Sequence, residues 1–163
     1  MDHPVAAEVA WTAAIAGFPT LRFNFRGVGA SQGAPGGPEE RLEDCEAALR
    51  VLEENAQVAT AAVASLGASA STVCSLTDLH PGISGVCLIS PSDILLADLA
   101  RVPVRLLAIV GEEETSLPRA ALAAAVTEAG GRLEVIENDD ASFRRHLTYV
   151  GKTVAHWLEE LGS

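Results

Sequence analysis

The chain has 163 residues and a formal net charge of -11, from 22 acidic and 11 basic residues. Hydrophobic residues make up 48% of the chain, which suits a single domain over residues 1–163 with a full core and argues against a disordered chain. The acidic charge would repel a phosphate backbone or an anionic membrane surface, so no nucleic-acid or membrane binding is expected.

The cysteines indicate a reducing compartment. The chain has an odd number of cysteines, and no two of them have the close spacing of metal ligands: Cys45, Cys74 and Cys87. Each falls in an apolar pattern, so we expect buried free thiols and a cytoplasmic location. No signal peptide is expected, and because no uninterrupted apolar stretch reaches about 18 residues, no membrane span is expected either.

The first half of the chain alternates helical and extended patterns. Residues 4–16 are rich in alanine and valine and predict a helix, and the apolar alternation of 19–25 predicts a strand. A loop rich in glycine and proline covers 26–38, and the proline at its end suits the first turn of a helix that runs to about residue 55. Residues 59–64 are small and apolar and predict a central strand.

The second half continues this alternation. It predicts helices at about 67–78, 93–100, 119–129 and 147–161, and strands at 85–90, 104–110 and 132–137. Strands that alternate with helices pair in parallel through right-handed crossovers. The sequence therefore predicts an α/β fold: a three-layer α/β/α sandwich with a mostly parallel sheet of about five strands.

The first strand opens into a glycine-rich loop. Residues 21–33 read LRFNFRGVGASQG, and ligands bind at such carboxyl ends of parallel strands. A dinucleotide site needs G-x-G-x-x-G opening directly into a helix, whereas here the third glycine comes one residue late and prolines delay the helix. The nucleotide signal is therefore weak. No cluster of metal ligands is visible, and neither a metal nor an organic cofactor is expected.

Several segments taken together resemble the α/β-hydrolases of the small esterase and dienelactone-hydrolase-like type. They are the strand and loop 21–33, the helix after it, SLGA at 65–68, GEEE at 111–114 and DASF at 140–143 before a last helix. The likeness covers nearly the whole chain in the right order, and the ordered set is more specific than any one motif. It implies a shortened α/β-hydrolase fold with the catalytic order serine, acid, histidine.

The resemblance places the nucleophile on Ser65 and the acid on Glu114. The histidine position falls on Ala141, which cannot act as a base, and His146 lies five residues later, within reach only if the loop folds back. The oxyanion and loop positions fall on three further residues, Leu66, Arg26 and Gly27.

Other features of the site also depart from the family pattern. Val63 stands where an elbow needs a glycine or another very small residue. The alternative elbow around Ser69 keeps the first glycine but places the serine late. The strand that the family places between the Phe23 strand and the Ala62 strand is missing, and one oxyanion donor has no evident source. Little or no hydrolase activity is therefore expected.

Three functions are compatible with these features of the sequence. The first is a non-catalytic binding or structural subunit, with a protein partner or a second copy bound at an exposed sheet edge. The second is a weak serine hydrolase that acts on esters through Ser65, Glu114 and His146. The third is a carrier of a small acyl ligand in the vacated pocket.

Overall fold

The computed structural model describes residues 3–162, in which six helices surround one four-stranded sheet. The helices are α1 (Pro4–Ile15), α2 (Pro38–Ala56), α3 (Ala70–Leu79), α4 (Leu96–Leu99), α5 (Arg119–Glu128) and α6 (Leu147–Leu161). The strands are β1 (Ala61–Leu66), β2 (Ile83–Ile89), β3 (Arg105–Gly111) and β4 (Arg132–Ile136).

The sheet is parallel throughout, with strand order β1-β2-β3-β4. Because successive side chains of a strand point to opposite faces of the sheet, the central strands contribute side chains to two separate hydrophobic clusters. Val86, Leu88 and Ala108 pack under α3, α4 and α5, whereas Cys87 and Leu107 pack under α1 and α6. This is the predicted α/β sandwich with helices on both faces.

The predicted strand at residues 19–25 is wrong, and the sheet of the described chain has four strands rather than about five. Residues 18–25 contain no helix, strand, turn or bend. Phe25 packs into a cluster with Cys45, Leu49 and Ala61, while Leu21 and Phe23 are each 40% exposed. An alternating apolar pattern becomes a strand only when another strand pairs with it, and no ladder forms here.

The loop after this segment is fastened to α2 by Arg26. Its backbone N–H donates to Asp44 Oδ2 at 2.8 Å, and its guanidinium donates to Asp44 Oδ1 at 2.7 and 2.8 Å. The loop then turns tightly at Gly27, where φ is +70° and a Cβ would lie 2.3 Å from the Pro35 nitrogen. Arg26 and Gly27, predicted as oxyanion or loop positions, thus build the loop.

Most of the remaining sequence predictions agree with the structure. Two helices are shorter than predicted: α3 begins at Ala70 rather than residue 67, and α4 covers only Leu96–Leu99. The three cysteines are buried and free, as expected. Desolvation raises the pKa of Cys45 to about 11 and those of Cys74 and Cys87 to about 12.

None of the helices within residues 3–162 is long and apolar enough to cross a membrane.

Candidate active site

The predicted nucleophile lies within a strand rather than at a sharp turn. Ser65 belongs to β1, is 5% exposed and has an Oγ with no hydrogen-bond partner. The chain turns two residues later at Gly67, where φ is +63°, whereas Ser65 is not among the residues with positive φ. A nucleophile elbow needs a strained strand-to-helix turn at the serine itself, so the hydroxyl is not presented above the sheet in that way.

The start of α3 already has an acceptor for its first N–H group. The backbone N–H of Ala70 donates to Asp93 Oδ1 at 3.0 Å, and the Ser71 hydroxyl donates to Asp93 Oδ2 at 2.9 Å. Ser69, the alternative nucleophile, donates its hydroxyl to the Leu66 carbonyl at 3.2 Å. A carboxylate therefore occupies the helix end that would otherwise stabilise an oxyanion.

A second buried serine lies at the same edge of the sheet. Ser90 follows β2, is 4% exposed, has φ of +46° and carries an Oγ without a hydrogen-bond partner. Ser65 lies opposite Leu88 of β2, two residues before Ser90. The two serines are therefore near the carboxyl ends of adjacent strands. Buried polar groups without partners are few in folded proteins, and the carboxyl edge of a parallel sheet is where ligands bind.

The predicted acid is engaged locally. Glu114 Oε1 accepts a hydrogen bond from the Ser116 hydroxyl at 2.5 Å, and its Oε2 is buried without a partner. Glu114 lines a cavity of about 10 Å³ together with Pro91 and Leu117. A volume of this size accommodates about one water molecule and no organic substrate.

The predicted histidine pairs with a different acid. The Nδ1 of His146 lies 3.1 Å from Oδ2 of Asp139, a residue that is 4% exposed. The same oxygen accepts the backbone N–H groups of Arg145 and His146, at 3.2 and 3.1 Å. Asp139 therefore fixes the ring just before α6. Asp139 was not predicted as a site residue, because an aspartate beside another aspartate in a loop offers little signal.

Ala141, where the family pattern expects the histidine, is exposed. Beside it, Asp140 accepts hydrogen bonds from both the backbone N–H and the hydroxyl of Ser142, at 2.8 and 2.5 Å. The side-chain bond from Ser142 is the main cause that lowers the pKa of the Asp140 carboxyl. No proton acceptor for a serine arises at this position.

Among the described residues, no hydrogen bond joins Ser65, Glu114 and His146 to one another. The loop that carries Asp139 is instead held against the end of β3. A Cβ on Gly111 would lie 2.3 Å from the Asp139 carbonyl oxygen, and Glu113 donates its backbone N–H to that oxygen at 2.9 Å. The loop that follows β3 and the loop that precedes α6 therefore contact each other, whereas the Ser65 hydroxyl has no hydrogen bond to either loop.

No group of histidine, cysteine and acidic residues in the described part of the chain could hold a metal ion. Two of the other described histidines pair with glutamates: His80 with Glu46, and His156 with Glu159 and Glu160. These contacts involve exposed or half-exposed side chains and contribute little to a site.

Comparison with protein-family models gives no match, and neither does comparison with curated protein sequences. Comparison with solved structures does give matches, and several of the matched structures carry the names of hydrolases or esterases. A protein of unknown function from Agrobacterium tumefaciens, provisionally assigned to the α/β-hydrolases, has a TM-score of 0.86 at 22% identity, with 98% of this chain and 78% of that chain covered.

Two further structures agree. An alpha-beta serine hydrolase homologue from Coxiella burnetii has a TM-score of 0.84 at 22% identity, covering 97% of this chain and 77% of that one. Est1E from Butyrivibrio proteoclasticus, solved with ferulic acid bound, has a TM-score of 0.84 at 16% identity, covering 98% and 84%. At these identities the likeness establishes the fold.

Proposed function

The chain has the α/β-hydrolase fold, and we propose that it functions as a binding protein and does not hydrolyse esters. The observation that carries this proposal is the state of Ser65, whose buried hydroxyl contacts no base. A serine hydroxyl is a weak nucleophile unless an adjacent group removes its proton. Loss of the base in serine hydrolases removes several orders of magnitude in rate, on the order of 10⁴-fold or more.

The three cysteines are buried and free, which supports a location in a reducing compartment such as the cytoplasm. The proposed role is that of a binding or structural subunit on a hydrolase scaffold, with a site whose catalytic groups have diverged. Folds of this kind host many functions, so the scaffold alone does not argue for hydrolysis.

The test is labelling with a fluorophosphonate probe, combined with hydrolysis of p-nitrophenyl acetate. We expect no labelling above that of the Ser65→Ala variant and no hydrolysis above that of the same variant. An active serine hydrolase in the same assay verifies the probe. Labelling that disappears in Ser65→Ala would contradict the proposal and assign the nucleophile.

One observation favours a second candidate, a weak serine esterase. The contact between Asp139 and the Nδ1 of His146 is the acid–histidine half of a triad, and it leaves Nε2 of the ring available to a substrate or a serine. In this alternative Asp139 takes the orienting role that the sequence assigned to Glu114. If hydrolysis is found, Asp139→Asn should reduce kcat more than KM, while Glu114→Gln should change neither.

A further inference from the structure

The imidazole of His146 is held at one ring nitrogen and free at the other. Its Nδ1 lies 3.1 Å from Oδ2 of Asp139, whereas its Nε2 has no hydrogen-bond partner within residues 3–162. The side chain of His146 is 43% exposed, so small molecules in solution can reach the ring. The free nitrogen thus belongs to an accessible ring whose orientation is set by a second residue.

Asp139 is the residue that sets this orientation, and it is itself held in place. It is 4% exposed, its Oδ2 also accepts the backbone N–H groups of Arg145 and His146, and its carbonyl oxygen accepts that of Glu113. An ionised carboxylate only accepts hydrogen bonds, so the contact places the proton of the neutral ring on Nδ1. The lone pair is then on Nε2, which is the form of the ring that can act as a nucleophile.

Two other histidines provide a comparison within the same chain. Both ring nitrogens of His156 face glutamates on α6, with Nδ1 and Nε2 each 3.4 Å from a carboxylate oxygen. His80 directs its Nε2 towards Glu46, also at 3.4 Å. Of these three histidines, His146 is the one that combines an anchored Nδ1 with a free Nε2.

The surroundings of the His146 ring favour a negatively charged group. The residue is the N-cap of α6, a helix of 15 residues. The N–H groups of a first helical turn have no acceptor within the helix, and this end of a helix carries a partial positive charge. Arg144 is exposed two residues before the ring, and its charge is one of the causes that lower the pKa of the Asp140 carboxyl. An anionic group is therefore better accommodated on this ring than a neutral one.

We propose that Nε2 of His146 accepts a phosphoryl group from a small donor of the phosphoramidate class. The Nε2 lone pair attacks phosphorus and forms a new N–P bond. The N–P bond of the donor breaks at the same time, and its protonated nitrogen leaves as ammonia. Nδ1 keeps its proton, so the phosphorylated ring carries a positive charge that the Asp139 carboxylate stabilises. Asp139 is thus a positioning residue for this transfer.

Phosphoryl transfer to His146 goes beyond the proposed binding role and does not involve Ser65. A phosphoryl group adds close to two negative charges, and a helix N-terminus is a favourable place for them. Fluorophosphonate labelling of Ser65 would contradict the non-catalytic role and leave the chemistry of His146 unaffected. The failures of the two proposals are therefore distinguishable.

The experiment treats the full chain with potassium phosphoramidate at neutral pH and maps the product by peptide mass spectrometry under alkaline conditions. Phosphorus NMR of the intact protein then distinguishes the Nδ1 and Nε2 isomers. We expect one phosphoryl group on His146, at Nε2, while His156 stays unmodified over the same time. No modification of His146, equal rates at His146 and His156, or a product at Nδ1 would overturn the proposal.

Three variants separate positioning from simple exposure. His146→Gln should lose the modification. Asp139→Asn should slow it about ten-fold or more, because an ionic hydrogen bond to the ring is lost, and should give a mixture of the two isomers because the tautomer is no longer fixed. Asp140→Asn changes the neighbouring exposed aspartate, which bonds to Ser142 instead, and should react as the original chain does.

The isomer formed gives a readout that a purely structural role of Asp139 would not change. An Asp139→Asn chain that reacts at the original rate and still only at Nε2 would contradict the proposed role. If that variant fails to fold, the original chain decides when native and when unfolded in urea. Equal rates at His146 in the two states would show that the folded environment does not activate the ring, and would overturn the proposal.

Discussion

At the residue scale, three hydrogen bonds join Arg26 to Asp44. Asp44 receives the backbone N–H and two guanidinium N–H groups of Arg26. The side-chain hydrogen bond from Arg26 is the main cause that lowers the pKa of the Asp44 carboxyl. This contact connects the glycine-rich loop to α2, so the residue that the sequence placed near an oxyanion site serves the fold.

We expect Asp44→Asn to lower the midpoint of thermal unfolding by a few degrees at neutral pH. Because the folded chain holds the carboxylate ionised, the unfolded chain binds a proton more readily, and stability falls with falling pH. The contribution is complete above the ordinary pKa of about 4 and is lost as the pH falls through the lower pKa of the folded state. Urea unfolding of both proteins over a pH series measures this difference.

Glu43→Gln provides the matched control, since Glu43 contacts the same guanidinium at 3.1 Å but is 64% exposed in its side chain. Its effect should be smaller than that of Asp44→Asn at every pH, because exposed ion pairs stabilise little. If the two variants lost equal stability, or if the loss in Asp44→Asn persisted at acid pH, the ionised Asp44 carboxylate would not be the cause of the stabilisation.

The candidate site was only partly predictable at this scale. The sequence placed Ser65, Glu114 and His146 on three loops or strand ends, but it could not show which acid meets the imidazole. That choice depends on the close approach of the 139–140 backbone to Gly111, a contact between segments distant in sequence. Asp139 enters the site for this tertiary reason.

At the element scale, four of the five predicted strands form. Each of the strands β1 to β4 pairs with its neighbour in the chain, and one helix lies in each connection. Local apolar patterns and the spacing of the helices were therefore sufficient to predict these strands. Residues 19–25 carry the same kind of pattern but have no adjacent strand edge paired to them. Composition shows that a segment could be a strand, whereas pairing depends on the rest of the fold.

The packing of α6 on the sheet depends on a glycine in β2. A Cβ on Gly85 would lie 2.7 Å from the Leu161 Cδ1 and 2.8 Å from the Trp157 ring. Trp157 is buried and its ring cannot bend away, so Gly85→Ala should displace the end of α6. We expect a loss of about 1–3 kcal/mol in the free energy of unfolding, measured by urea denaturation.

Gly162→Ala is the control for this substitution. Its nearest neighbours lie 3.8 and 3.9 Å from the added Cβ, which is ordinary contact, and its φ of -85° suits alanine. Its free energy of unfolding should change by no more than about 0.5 kcal/mol. If Gly85→Ala were as mild as this control, α6 would not be packed as closely on β2 as the structure indicates.

At the scale of the whole molecule, the core formed by residues 3–162 is divided into three clusters, and each contains one cysteine. Cys74 belongs to the cluster under α3, α4 and α5, Cys87 to the cluster under α1 and α6, and Cys45 to the cluster beneath α2. The α2 cluster is the smallest in buried residues and borders the unpaired β1 edge. It should therefore open at a lower free energy than the rest.

Alkylation of the thiols tests this order without any substitution. Cys45 and Cys74 are 5% and 8% exposed, so burial alone would not make Cys45 the faster, and the raised pKa values disfavour the reactive thiolate of all three cysteines in the folded chain. We expect iodoacetamide, followed by peptide mass spectrometry in low urea, to label Cys45 first and Cys87 only on global unfolding. Rates are normalised to those of the fully unfolded chain. Equal normalised rates at all three cysteines would mean that the α2 cluster does not open before the rest of the core.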